Sequence, residues 1–421
     1  MDGGKISPAG DAGGVDVSFV LPCLDEARSL PACIQSIEEA REALRTRLGF
    51  TSEIVIADNG SADGSQELGR SLGARVITVA VKGYGAALRG GFDAALGRYL
   101  VMGDADGSYD FRQAPPMIEA LAGGADLCMG DRFAGGIEPG AMPWKNRYIG
   151  NPLLTGLLNL LFRAGVSDAH CGLRALTREC YQRLGLSGAG MEFASEMVIK
   201  AALKGETIAQ RPATLSPDLR GRAPHLRPWR DGWRHLRYLV MLSPSWLFAL
   251  PAIAGAIVGC TILAIALGAA VLRPGAPVSF GDYWVVVAGA TLGVSQVSAI
   301  LAVASHLHGV REGYRRPKPW IYGLSRYVSL ETMILAGAIL TAAGLAVLVA
   351  VVVAWSARNF ARADTVLPVV IGSLMMTLGA QNILGGFLLA IVSGNEAKFL
   401  QVPPSPGAMA LDGGVDRVRA E

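Results

Sequence analysis

Charge is scarce in this chain of 421 residues: Asp, Glu, Lys and Arg make up 17%, against 51% hydrophobic residues. That apolar excess excludes an ordinary soluble protein. The net charge of +3 is too weak to argue for nucleic acid as a partner. The six cysteines, Cys23, Cys33, Cys128, Cys171, Cys180 and Cys260, fall at no metal-type or disulfide-framework spacing and read as reduced thiols of a cytoplasmic domain. Histidine is rare, and His170 and His225 stand alone as structural or solvated residues. Fixed-period repeats are absent. A strict GxGxxG is absent too, because Gly83 and Gly85 are followed by Leu88 where a third glycine is needed, and there is no Walker A sequence. The stretches 1–14 and 394–421 are small, polar and Gly-rich; they show no signal-peptide pattern and read as disordered tails.

What is present is unevenly spread. Four long apolar runs follow residue 240, at about 245–271, 284–305, 330–355 and 366–392, each matching the ~20 residues a membrane-spanning helix needs. Together they predict a transmembrane domain over 244–393. The link 306–329 carries Arg311, Arg315, Arg316, Lys318 and Arg326, whereas the first link has only Arg273 and the third has Arg358 and Arg362. Basic links stay in the cytoplasm, and an even number of spans then places the first 240 residues and the C-terminal tail there as well. No lone charge sits deep in a span, which argues against an ion or proton pathway. Gln296, Gln381 and Asn382 read as helix–helix hydrogen-bonding groups. Just before the first run, within 224–243, Leu226, Trp229, Trp233, Leu236 and Val240 share one helix face, and Arg227, Arg230, Arg234 and Arg237 follow on the adjoining one. This predicts a helix in the headgroup zone, the alternative being an amphipathic core helix with a solvated basic side. Pro228 and Gly232 allow it to be two short pieces.

Residues 15–223 alternate short apolar strands with helical patterns, which predicts an α/β domain with a mostly parallel sheet covered on both faces. Ligands of such sheets bind beyond the carboxyl ends of the strands. Pro22 to Glu26, Asp58 to Ser61, Lys82 to Gly85 and Asp104 to Asp110 all follow such ends and should converge on one rim. "VMGDADGSYDF" gathers three carboxylates at one of them. Two aspartates at i and i+2 can aim their oxygens at one spot, and a divalent cation such as Mg²⁺ takes one or two carboxylates plus substrate phosphates. A turn cap at Asp104 or Asp106 is the plain alternative.

The segments "VLPCLDE", "IVIADNGSADGS", "VMGDADGSYDF", "GDRFAGG", "DAHCGLRAL" and "GMEFASEMVIKA" resemble a family-two glycosyltransferase of the GT-A fold, and more narrowly the polyprenyl-phosphate glycosyltransferases related to dolichol-phosphate mannose and glucose synthases. The resemblance covers about residues 16–240. It implies a Rossmann-like GT-A catalytic domain, then the interfacial segment and a four-helix transmembrane domain. Pro22 and Glu26 correspond to the nucleotide-contacting first loop, with Leu24 where an aromatic often stands. Asp58 corresponds to the acidic residue that reads the base or ribose, followed by Asn59, and Lys82 is placed to reach the diphosphate unless it is a solvated loop lysine. Asp104 and Asp106 are the family's DxD, the Mg²⁺ or Mn²⁺ ligands. Gly107 and Ser108 replace the Leu-Gln of many mannose synthases, which leaves Ser108, Asp110 or water to complete the shell. Arg132 and Arg174 align with basic positions near the acceptor, where they would grip a phosphate monoester; pairing with Asp131 or Asp168 is the alternative. Glu192 resembles the acidic position of the acceptor region, helix-entry electrostatics being its alternative, and Glu196 lies four residues on.

The resemblance implies sugar transfer with inversion from a nucleotide diphosphate sugar, UDP-glucose before GDP-mannose, to undecaprenyl or dolichyl phosphate at the cytoplasmic membrane face. A processive polysaccharide synthase would carry QxxRW, which the chain lacks. A transporter would place more polar groups in the spans. A non-catalytic nucleotide-sugar-binding protein is the remaining alternative, and the sequence leaves homo-oligomerisation open.

Overall fold

Seven strands pair in the order β3-β2-β1-β4-β6-β5-β7. They are β1 (Val17–Cys23), β2 (Ser52–Asp58), β3 (Arg75–Thr78), β4 (Tyr99–Met102), β5 (Leu127–Asp131), β6 (Arg174–Thr177) and β7 (Ile208–Pro212). This computed structural model describes residues 14–221, 228–272, 281–312, 327–361 and 365–398, with positions 315, 321 and 323 besides. The expected tails 1–14 and 394–421 lie almost wholly outside the described residues, and His225, Leu226 and Arg227, with Arg316, Lys318 and Arg326 of the basic link at 306–329, lie outside them too.

The strands explain the unbroken apolar runs of the sequence. Side chains alternate across a strand, and both faces of this sheet are covered. Phe19, Leu21, Tyr99 and Val101 pack on one face against the helices Leu30–Leu48 and Pro115–Ala122. Val20, Leu100 and Met102 pack on the other, against Tyr84–Ala94, Asn151–Phe162 and Glu192–Lys204. The sheet is mostly parallel, as expected, but β6 runs antiparallel to both β4 and β5. Its first residue, Arg174, therefore lies opposite Met102, the last residue of β4.

The strand order places the ligand crevice. From β1 the chain steps outward through β2 and β3, then returns to lay β4 on the other side of β1. The reversal between β1 and β4 is the topological switch point at which open α/β sheets bind ligands. The loops after β1 and β4, which carry Glu26 and the DxD, flank it.

The amphipathic segment is one continuous helix, Pro228–Met241, and not two pieces. Proline is well tolerated at the first helical position, where no backbone donor is lost. The helix does not bury the expected apolar face, on which Leu236 and Val240 are only half-buried. Leu239 and His235, four residues apart, are buried, and Leu239 joins the core beside the Glu192–Lys204 helix. Trp233 is turned away and 63% exposed.

The chain divides into two compact units at residues 242 and 243. The second contains four helices long and apolar enough to cross a membrane: Trp246–Leu272, Asp282–Arg311, Leu330–Ala357 and Leu367–Val392. The second of these extends beyond the expected 284–305 at both ends. Within this unit, Gly337 and Gly344 meet the backbone of Gly379 and Gly372 on the facing helix, the close approach that small residues permit. Gln296 Nε2 donates to Leu378 O at 3.1 Å, and Asn382 Nδ2 donates to Met333 O at 2.9 Å. Both are the helix–helix hydrogen bonds read from the sequence; the buried Oε1 of Gln381 has no partner among the described residues.

Candidate active site

The site is built from loops stitched together before any side chain faces a ligand. After β1 the chain turns at Asp25, whose φ of 55° is left-handed. The β2 loop holds that turn: Asp25 N donates to Ser61 Oγ, Glu26 N to Ser65 Oγ and Ala27 N to Asp63 Oδ2, each at 2.9 Å. Glu26 is buried as a result. The Ser29 hydroxyl sits 3.1 Å from Glu26 Oε2 and 2.6 Å from Ala105 O, which ties the β1 loop to the β4 loop.

Asp104 and Asp106 follow β4 directly. Burial, and then the negative charge of Asp106, push Asp104 up to about 6, while the Tyr84 hydroxyl donates to it and opposes the rise. Gly172 passes so close that a Cβ there would lie 2.7 Å from Asp104 Oδ2. Asp106 is fixed through Oδ1, which accepts from Ser108 N at 2.9 Å and lies 2.6 Å from Ser108 Oγ. Its other oxygen, Oδ2, lies 2.5 Å from Arg220 Nη2, and Arg220 Nε lies 3.0 Å from Glu26 Oε1. Arg220 arrives on a strap after β7. Ser216 N donates to Ser108 O and Leu219 N to Asp106 O, both at 2.9 Å. Leu219 packs over Gly107, whose φ of 80° and crowded Cβ position leave room only for glycine.

The turn-cap alternative for the aspartates is therefore partly realised. Asp106 does close a turn, but with one oxygen only. Asp110 is a cap outright: it accepts from Arg112 N and pairs with the Arg112 side chain, away from the other two. That corrects its expected place in a metal shell.

Other expected site residues turn out to hold the frame. Asp58 is buried and accepts from Gly60 N, Ser61 N and Gln66 Nε2. Asn59 donates to Val79 O and Val81 O and accepts from Gly83 N, and Lys82 Nζ donates to Asn59 O. These two side chains join the loops after β2 and β3, and Lys82 also lines a cleft. Pro22 lies within β1, opposite Ala57, and Leu24 is half-buried at its end.

The two acceptor-side arginines are corrected as well. Arg132 makes a buried bidentate pair with Asp168, at 2.6 and 2.8 Å. Burial alone would raise the Asp168 carboxyl, but Arg132 and two backbone N–H groups hold it below the usual range. Arg174 is 0% exposed, and its guanidinium donates to the carbonyls of Cys171, Ala194 and Ala169. Neither presents a free fork to a phosphate. Glu192 Oε1 accepts from Gly190 N, and Glu196, buried and paired with Lys200 at 2.7 Å, accepts from Ser187 N and Gly188 N. Together they shape the "SGAG" loop. His170 is structural: burial and then the nearby His235 ring push it down to about 3. A cleft of about 560 Å³ opens beside that loop, lined by Lys82, Glu192 and, from the Pro228–Met241 helix, Arg237, Tyr238 and Met241. It begins two residues before Tyr84, the partner of Asp104.

Sequence reasoning missed Arg220 and Tyr84. "SPDLRGR" is an unremarked basic run 114 residues from Asp106, and no local pattern signals that pairing. Among the described residues no three acidic, histidine or cysteine side chains gather as a ready metal cage. The Asp104–Asp106 pair nevertheless suits a divalent cation that also takes phosphate oxygens, since a guanidinium already occupies the position beside Asp106 where positive charge is needed.

The family models match in two places: glycosyl transferase family 2 over residues 18–185, and the glycosyltransferase family 2 C-terminal transmembrane region over residues 303–393. The low-salt glycan biosynthesis hexosyltransferase Agl6 of Haloferax volcanii is 33% identical over 375 residues, 89% of this chain and 88% of the relative. A dolichyl-phosphate hexose transferase of the same organism is 30% identical over 203 residues, 47% of this chain and 81% of that one. Glucosyl-3-phosphoglycerate synthase of Mycobacterium tuberculosis, solved with Mn²⁺, UDP and glucosyl-3-phosphoglycerate, shares 24% identity at a TM-score of 0.39, over 55% of this chain and 78% of that one. With a GT-A sheet, a DxD at its switch point and a full-length hexosyltransferase relative, the chain belongs to glycosyltransferase family 2 as a membrane-integral glycosyltransferase.

Proposed function

We propose that the protein transfers a hexose from a nucleotide diphosphate sugar to a polyprenyl phosphate at the cytoplasmic face of its membrane. The observation that carries this reading is the joining of a diphosphate-type acid pair and a membrane-ready helix in one unit: Asp104 and Asp106 lie at the crevice, and the Pro228–Met241 helix packs on the same core with Trp233 outward. The relationship to a dolichyl-phosphate hexose transferase supports the lipid acceptor. We infer UDP-glucose as donor before GDP-mannose, since Gly107 and Ser108 stand where mannose synthases carry Leu-Gln.

Asp104 and Asp106 would hold Mg²⁺ or Mn²⁺, which supplies charge stabilisation to the departing diphosphate. The chain's own part is positioning. Tyr84 orients Asp104, Ser108 orients Asp106, and Glu26 with Ser29 locks the two loops at a fixed distance. The acceptor phosphate has a second pKa of about 6 and is largely a dianion at neutral pH, so no side chain has to remove a proton. One direct displacement gives inversion. The acceptor phosphate is placed in the cleft between Lys82 and Arg237, whose wall is the interfacial helix.

The reading is tested by incubating membranes containing the protein with a panel of labelled nucleotide sugars and extracting into organic solvent. A lipid-soluble product from one donor is expected; none from any donor would overturn it. Arg237→Ala is expected to raise KM for the lipid phosphate about tenfold, the scale of one charged hydrogen bond, with KM for the donor unchanged. An unchanged lipid KM would remove the acceptor from this cleft.

A further inference from the structure

We infer that Arg220 is a built-in occupant of the divalent-cation site, so that the cation binds weakly alone and tightly only together with the nucleotide. The inference rests on the proposed cation role of Asp104 and Asp106. Two carboxylates from different loops, Asp106 and Glu26, meet across one guanidinium whose side chain is 16% exposed. Without that positive charge, the buried Glu26 and Asp106 would stand with the half-buried Asp104 as a cluster of like charges, which is strongly unfavourable. Arg220 thus stabilises the ligand-free loops.

The same contact opposes an arriving cation. A divalent ion coordinated by Asp106 Oδ2 would stand beside the Nη2 that lies 2.5 Å from that oxygen, and the two positive charges repel in a largely buried place. The guanidinium donates a hydrogen bond to Asp106 Oδ2 and is held more loosely on the Glu26 side. Its Nε lies 3.0 Å from Glu26 Oε1 but off the line of a hydrogen bond, so charge and not alignment holds it there. The strap is anchored separately, by backbone bonds from Ser216 and Leu219 to the DxD loop. The side chain can therefore swing out while its backbone stays. A displaced guanidinium needs a new anion, and a diphosphate brings one with the cation. Binding of the two is then mutually reinforcing, and by linkage each tightens the other by the same factor.

The test measures Mn²⁺ binding to the detergent-solubilised full chain by loss of the free-ion electron paramagnetic resonance signal, with Mn²⁺ alone and with Mn²⁺ plus UDP or GDP. The wild type is expected to bind Mn²⁺ at least about tenfold more tightly with the nucleotide. Arg220→Gln should bind Mn²⁺ alone about tenfold more tightly than the wild type and lose most of the nucleotide enhancement. Arg220→Lys, which keeps the charge on a shorter reach, should fall between them and replaces the Gln variant if that does not fold. Equal Mn²⁺ affinity of the wild type and either folded variant would overturn the inference. Asp106→Asn separates the underlying reading. If it abolishes Mn²⁺ binding while the Arg220 variants change nothing, only the competition fails; if it leaves Mn²⁺ binding intact, the cation role of Asp106 fails with it.

Discussion

Asp106→Asn is expected to lower hexose transfer by at least about a hundredfold, the scale on which removal of one electrostatic partner of a developing charge slows an enzyme. The substitution is chosen for what it preserves. An asparagine keeps an oxygen where Oδ1 accepts from Ser108 N, so the turn into Tyr109 stays closed. What disappears is the negative charge at Oδ2, which faces Arg220 in this structure and would face a cation in the working enzyme. Turnover is measured as organic-extractable label from the active donor, alongside a melting curve that shows the variant folded. The wild type is expected to lose activity in excess EDTA and regain it with Mg²⁺ or Mn²⁺. Wild-type turnover in the variant, or full turnover in EDTA, would sink the assignment of Asp106.

The second large effect concerns stability. Asp168→Asn should cost about 3–5 kcal/mol, because it leaves the Arg132 guanidinium buried without its anion. That is a large share of the roughly 5–15 kcal/mol by which a domain is stable, and it corresponds to a fall of at least about 6 °C in melting temperature for a unit of this size. The sign of the pH dependence follows. The Asp168 carboxyl is held below its ordinary value of 3.8 in the folded chain, so its stabilisation is present above that value and is lost as pH falls through the depressed one. A double substitution, Arg132→Met with Asp168→Leu, removes both charges and should recover most of the loss. It also decides Arg132's role. A stable and active double variant makes the pair structural, as the geometry has it. A stable but inactive one would return Arg132 to the acceptor site.

The sites of hardest reading have one feature in common. Glu26, Asp104 and Asp106 were legible because each follows an apolar strand, and a mostly parallel sheet must bring such ends to one rim. The same rule named Asn59, and there it overreached. A polar residue after a strand can also serve a neighbouring loop, and Asn59, with one amide bridging Val79, Val81 and Gly83, does so. For Arg132 the right partner was among those considered, but sequence could not choose between a phosphate and Asp168, 36 residues away. Arg174 was misplaced because its environment depends on the direction of β6. Running antiparallel beside β4, β6 drives its first side chain into the core among carbonyls.

The sequence by itself determined what periodicity and local chemistry determine: the strands and their rim loops, the DxD, the amphipathic segment and four helices of membrane-spanning length. Those features are written within a few residues, since side-chain alternation and turn propensity act over that distance. Only the tertiary structure decided which cation faces Asp106, which arginines are free and which face of the Pro228–Met241 helix is buried. Each depends on groups far apart in the chain, and burial rewards whichever opposite charge or carbonyl the fold happens to bring within about 3 Å.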